Sequence, residues 1–288
     1  MSGNRRTTQE DSGNRLIVLA GGRRRVQVAK RNLPKVLAPV MRNGRSTLSC
    51  VLDSAVQARF RQPYLVTRAQ FNGAFDAAAR AQAGLTCTVV AQYDDGTARA
   101  LQHALEQGDL CTSALAAVIA FASMPLVRPE TIEVMLSGHY ANRDHMTVSV
   151  CDLEFSEMSP LVRAQLERRA RVVTEDGRVT RVVLPGEPDF AGLRIAMIAP
   201  YVVRLRDFKV LRDQGKIGGG PFLTDLVRQV VGLRSNHVGV FHIPAGELVQ
   251  FKGDPTKVGP KSGYPKDIFG NLGSTPRPAR NTRTKVCA

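Results

Sequence analysis

Apolar runs alternating with amphipathic stretches over residues 15–154 predict an α/β fold: a three-layer α/β/α sandwich around a mostly parallel sheet. Strand-like runs recur at RLIVLA (15–20), PYLVTR (63–68), TCTVVAQ (86–92), 115–127 and MTVSVCDLE (146–154), with helical stretches between them. Parallel strands need crossover connections, and these intervals are long enough to supply them. The run LAAVIAFASMPLV (115–127) is almost unbroken in apolar residues, as a strand covered on both faces should be.

Residues 1–14 are polar and read as a disordered arm. After the first strand comes a basic loop, then LPKVLAPV at 33–40. The stretch 46–60 places Leu48, Val51, Leu52, Ala55 and Val56 near helical spacing. A helix over 71–84 is ended by Gly84, and one over 94–108 has Gly96 and Thr97 at its start and Gly108 at its end. Pro129 opens a helix over 129–140. The pattern then changes. A helix over 161–171 carries Arg163, Arg168, Arg169 and Arg171, read as a solvated face. RARVVTEDGRVTRVVLPG (169–186) is two β-rich runs joined by Glu-Asp-Gly, a hairpin signal. A strand at 192–203, a helix at 221–233 and a strand at 237–244 follow. Residues 252–288 are rich in Gly, Pro, Lys and Arg and read as a basic, poorly ordered tail, which leaves 15–251 as the folded domain.

Composition narrows the partners. No apolar run approaches the ~20 residues of a membrane span, and the N-terminus lacks the apolar core of a signal peptide, so a cytoplasmic location is expected. Five cysteines (Cys50, Cys87, Cys111, Cys151, Cys287) form no CxxC pair, which argues against a disulfide framework or a structural zinc. The five histidines show no HxH or HExxH spacing. A net charge of +15 attracts polyanions. The aromatic–basic interleaving used by single-strand readers is missing. That points away from nucleic acid and toward a nucleoside triphosphate or a phosphorylated small molecule. Oligomeric state is left open.

The first strand ends in small residues, Leu19, Ala20, Gly21 and Gly22. Without a Cβ in the way, backbone amides approach phosphate oxygens. Behind them stand Arg23, Arg24, Arg25, Lys30, Arg31 and Lys35. A tight turn with exposed arginines is the competing reading.

LAGG (19–22), LPKVL (33–37), Gly96-Thr97 in QYDDGTARAL, MPLV (124–127), EDGRVTRVV (175–183) and GPFLTDLV (220–227) occur in this order. Together they resemble the nucleotidyltransferases that join a nucleoside triphosphate to a sugar phosphate, the superfamily that includes the MobA-like NTP transferases. The likeness extends to the uridylyltransferase domain of bacterial N-acetylglucosamine-1-phosphate uridylyltransferases. It implies a Rossmann-like sheet of the nucleotide-diphospho-sugar transferase type. By the same resemblance the backbone of Leu19, Ala20, Gly21 and Gly22 faces the nucleotide. Arg25, or one of its neighbours, takes the place of the signature arginine, and Lys35 is the lysine of the Pro-Lys pair; Arg25 and Lys35 are assigned to catalysis. Gly96 and Thr97 contact the base, with Gln92 assisting. The acceptor phosphate attacks the α-phosphorus in line and pyrophosphate leaves, with the protein positioning and neutralising charge.

The departures from the family pattern fall in the loop after the first strand, where Gly22-Arg23-Arg24-Arg25 lacks the family's second Gly and its Thr, at its two Mg²⁺ ligands, and after the hairpin. Ser123 stands where the family has an aspartate, Arg194 where it has an asparagine, and Leu184 where it has a glutamate after the hairpin. Ser123 and Arg194 are therefore assigned to substrate binding, and no residue is assigned to metal. A hydroxyl is a poor Mg²⁺ ligand beside a carboxylate, and an arginine repels the ion. Asp94 and Asp95 are the nearest alternative carboxylates. Two functions follow: a nucleotidyltransferase acting on a phosphorylated small molecule, or an inactive homologue serving as a nucleotide-binding or regulatory subunit.

Overall fold

The structure, a computed structural model, describes residues 13–22, 25–28, 31–39, 45–60, 62–81, 85–107, 115–125, 127–153, 160–218, 220–233, 237–244 and 247. Arg23, Arg24, Lys30, Gly84, Gly108, Cys111, Cys287, the arm up to residue 12 and the tail at 252–288 lie outside these residues. The strands are β1 (Arg15–Leu19), β2 (Arg25–Val28), β3 (Arg31–Pro34), β4 (Tyr64–Arg68), β5 (Thr88–Gln92), β6 (Ala116–Phe121), β7 (Met146–Asp152), β8 (Arg171–Glu175), β9 (Arg178–Val183), β10 (Ile195–Arg204) and β11 (Val238–His242). The helices are α1 (Thr47–Gln57), α2 (Asn72–Arg80), α3 (Thr97–Gln107), α4 (Pro129–Ala141), α5 (Pro160–Leu166), α6 (Leu205–Asp213) and α7 (Leu223–Gly232).

Nine strands form one sheet in the order β5-β4-β1-β6-β10-β7-β11-β9-β8. β5, β4, β1 and β6 are mutually parallel, as the alternating pattern predicts. β11 also runs parallel to β7, and the departures from the mostly parallel expectation are confined to β10 and to the β8–β9 hairpin. β10 inserts between β6 and β7, antiparallel to both, and β8 and β9 form an antiparallel hairpin. Single bridges from β11 to β9 and from β10 to β8 link this end of the sheet into a ring. An apolar run does not encode strand direction, because a strand covered on both faces has the same composition either way.

Burial fits a layered core. Leu16, Ile17 and Val18 are 1%, 0% and 0% exposed; consecutive residues point to opposite faces, so both are covered. α3 packs on β1, β4 and β5 and touches α7, while α1 touches α4.

Local signals explain several boundaries. The Ser46 hydroxyl accepts from Ser49 N at 3.1 Å and caps α1. Pro129 is the first residue of α4. Asp176 and Gly177 at the β8–β9 turn both have positive φ, 50° and 73°, the geometry a two-residue hairpin turn requires. The strand expected over 115–127 stops at Phe121: Ala122 N makes the last bond of the ladder, to Leu19 O at 3.1 Å, and Met124 N then turns back to donate to Phe121 O at 2.9 Å. The residues after Gly22, expected as a loop, include the β2–β3 hairpin, with Arg25 opposite Pro34. α6 falls where no helix was expected.

Candidate functional site

The last residues of the four parallel strands, Leu19, Arg68, Gln92 and Phe121, all line one cavity of about 590 Å³. Ligands of open α/β sheets bind beyond the carboxyl ends of parallel strands, and this volume lies in the range of small-molecule sites. Ala20 N donates to Val66 O at 2.8 Å. With the Ala122–Leu19 bond, this delivers Gly21 and Gly22 to the cavity edge between β4 and β6.

The glycines are set by close approach. A Cβ on Gly21 would lie 2.2 Å from Gln92 Oε1. Gln92 is only 5% exposed, and its Nε2 donates to Asp94 O at 2.6 Å and Gly96 O at 2.9 Å. Gly96 has φ +114°, and a Cβ there would lie 2.1 Å from Pro221 O. Ala98 N donates to the same carbonyl at 2.9 Å, and Leu223 N donates to Thr97 Oγ1 at 2.8 Å. The starts of α3 and α7 are thus clasped together. The side-chain amide of Gln92 and an acceptor lone pair of Thr97, expected to serve a base, are engaged inside the protein.

Leu19, Ala20, Gly21, Gly22, Lys35, Gln92, Gly96, Thr97 and Ser123 all line this cavity. Arg25 lies on β2, opposite the cavity-lining Pro34. Arg194, expected to contact substrate, lies apart from the cavity lining. It is exposed at the entry to β10, and its carbonyl accepts from Leu153 N at 2.8 Å.

Several lining residues were missed by sequence reasoning. Arg68 ends β4, donates through Nε to Gly21 O at 3.1 Å and forms an ion pair with Asp95. Arg169, expected on a solvated face, lines the cavity with Tyr201, Phe121 and Phe222. Burial pushes the Tyr201 hydroxyl up to about 12, against the pull of the Arg169 charge. Arg171, two residues on, is only 4% exposed. Its guanidinium donates to Leu166 O at 2.7 Å and Arg169 O at 3.0 Å and sits 4.7 Å from the Phe190 ring centroid.

Among the described residues, the charged lining residues are Lys35, Arg68 and Arg169 against one carboxylate, Asp95, which already pairs with Arg68. This donor set suits an oxyanion. It is a poor fit to Mg²⁺, which is usually held by one or two carboxylates with waters and substrate phosphates, because the one described lining carboxylate is already paired with Arg68. Among the described residues no group of three or more His, Cys, Asp or Glu could hold a metal ion.

Residues 16–188 match the model of the MobA-like NTP transferase domain. No curated protein sequence matches the chain significantly. Among solved structures, a CMP:2-keto-3-deoxy-manno-octonic acid synthetase complexed with CTP aligns with a TM-score of 0.56 and 16% identity, over 80% of this chain and 89% of that one. An inositol-1-phosphate CTP transferase from T. maritima aligns with a TM-score of 0.60 and 14% identity, over 79% and 84%. At these identities the likeness is one of fold.

Proposed function

Starting from the fact that this chain belongs to the MobA-like NTP transferase domain family, we propose that it binds a nucleoside triphosphate in this cavity and transfers the nucleoside monophosphate to a phosphorylated small molecule. The observation that carries this reading is the convergence of nine motif residues, from Leu19 to Ser123, on one cavity with Lys35, Arg68 and Arg169 in its wall.

An oxygen of the acceptor phosphate attacks the α-phosphorus and forms the new P–O bond. The bond from the α-phosphorus to the bridging oxygen breaks, and pyrophosphate leaves with the electron pair. The Gly21–Gly22 turn holds the chain of phosphates close to backbone, where a side chain would block it. Lys35 neutralises developing charge, and Gly96 with Thr97 borders the base pocket. Held donors and cations stabilise such a transition state without reorganising at the moment of reaction.

That Asp95 is the one carboxylate among the described lining residues favours a second reading, a homologue that binds nucleotide without turning it over. A pyrophosphate-release assay with CTP, UTP, ATP or GTP and a panel of sugar and polyol phosphates separates the two. Acceptor-dependent release supports transfer. Saturable triphosphate binding with no release under any acceptor supports the second reading, and no triphosphate binding contradicts both.

A further inference from the structure

The positive wall of the cavity beside Ser123 is built, not incidental. Ser123 sits in the turn after Phe121, whose ring centroid lies 6.4 Å from that of Tyr201. Arg169 lines the cavity beside Tyr201, near enough for its charge to act on that hydroxyl. The carbonyl of Arg169 is held by Arg171. The Arg171 guanidinium is bound by the carbonyls of Leu166, Glu167 and Arg169 and faced by Phe190; among the described residues no carboxylate bonds it. Its Nε is buried and has no hydrogen-bond partner there. A guanidinium held this way keeps its charge and projects it into a low-dielectric wall. On the opposite side, Arg68 is fixed by the Gly21 carbonyl and Asp95. Among the described lining residues, a divalent cation brought to the Ser123 turn would meet a hydroxyl and a positive field, with the one carboxylate, Asp95, already paired with Arg68.

We propose that the cavity takes its nucleoside triphosphate as the metal-free polyanion, with the held arginines Arg169 and Arg171 supplying the positive charge that Mg²⁺ supplies elsewhere in the family. This rests on the nucleotide-binding reading above and specifies the ionic form of the ligand. Arg169 contacts the phosphates. Arg171 is a positioning residue that fixes the backbone of Arg169 and adds a buried charge behind it. Magnesium complexation hides phosphate charge from these side chains, so Mg²⁺ competes with the protein for the nucleotide instead of bridging the two.

Calorimetric titration of the full chain with CTP, UTP, ATP and GTP, in EDTA and in excess Mg²⁺, tests this. The expected result is a Kd in EDTA at or below that in Mg²⁺, with inorganic tripolyphosphate competing in EDTA. Arg169→Gln should raise the metal-free Kd about tenfold or more, the loss typical of a charge-assisted bond to phosphate. Ser123→Asp should raise the Kd in EDTA and make added Mg²⁺ tighten binding. Binding seen only with Mg²⁺, or tightened tenfold by it in the unaltered protein, overturns the inference and leaves the nucleotide site standing. An unchanged metal-free Kd in Arg169→Gln, with thermal unfolding matching the parent, also overturns it. Failure of every triphosphate to bind under both conditions overturns the inference together with the reading beneath it.

Discussion

Gly21 and Gln92 are in contact across the cavity floor: a Cβ on Gly21 would lie 2.2 Å from Gln92 Oε1. Gln92 cannot swing away, because its Nε2 is bonded to the carbonyls of Asp94 and Gly96. One buried side chain therefore ties the turn after β1 to the start of α3. Gly21→Ala should destabilise the fold by about 1–3 kcal/mol, the usual cost of overpacking. It should also weaken triphosphate binding. Urea denaturation and calorimetry on the same variant check both, and unchanged stability would show that the loop yields.

Gly96 faces a harder obstacle, since the neighbour of its missing Cβ is the Pro221 carbonyl, at 2.1 Å, and its φ is +114°. Gly96→Ala should cost about 3 kcal/mol through backbone strain and steric displacement. Thr97→Val should cost about 1–3 kcal/mol, because Leu223 N loses its acceptor. Both act on the α3–α7 clasp, so their effects should be non-additive in a double-mutant cycle.

Acid should destabilise the protein through a buried histidine. His139 is fully buried, and its Nδ1 meets Thr147 Oγ1 at 2.8 Å. Burial first, then the Arg204 and His145 charges, lower its pKa from 6.5 to about 4. Above pH 6.5 the ring is neutral folded and unfolded. Below it, the unfolded chain takes up a proton that the folded chain refuses, so stability falls as pH drops from 6.5 to about 4. The steepest slope for one such group is about 1.4 kcal/mol per pH unit. His145, also lowered by burial, acts in the same direction. Asp144, raised by burial from 3.8, acts oppositely at the acid end of the window. Urea midpoints measured through this range should fall with pH, and His139→Gln should flatten the slope.

The described cysteines should resist alkylation. Burial raises Cys87 and Cys151 to about 11 and raises Cys50 as well. At pH 7 a thiol of pKa about 11 is ionised in only about one molecule in ten thousand, and the thiolate is the reacting form. Peptide mapping after iodoacetamide treatment should find these three unmodified until denaturant is added.

The glycine-ended first strand, the Pro-Lys pair and the Gly-Thr helix start were legible because each depends on backbone geometry that few residues satisfy. The cationic wall was not. Arg68 at a strand end and Arg169 among helix arginines look like ordinary solvated charges, and only the tertiary packing turns them inward. Arg171 was hidden more deeply, since a buried guanidinium satisfied by carbonyls leaves no local signature. α6 escaped notice because LRDFKVLRD is charge-rich and buries only Leu205 and Phe208. The insertion of β10 between β6 and β7 is a matter of chain direction, to which hydrophobic pattern is blind.

Determination of the structure with a bound nucleoside triphosphate tests the central claim most directly. Phosphates should lie along the Ala20–Gly22 backbone within reach of Lys35, with the base beside Gly96 and Thr97. A triphosphate bound at another surface, with this cavity excluded from contact, would contradict it.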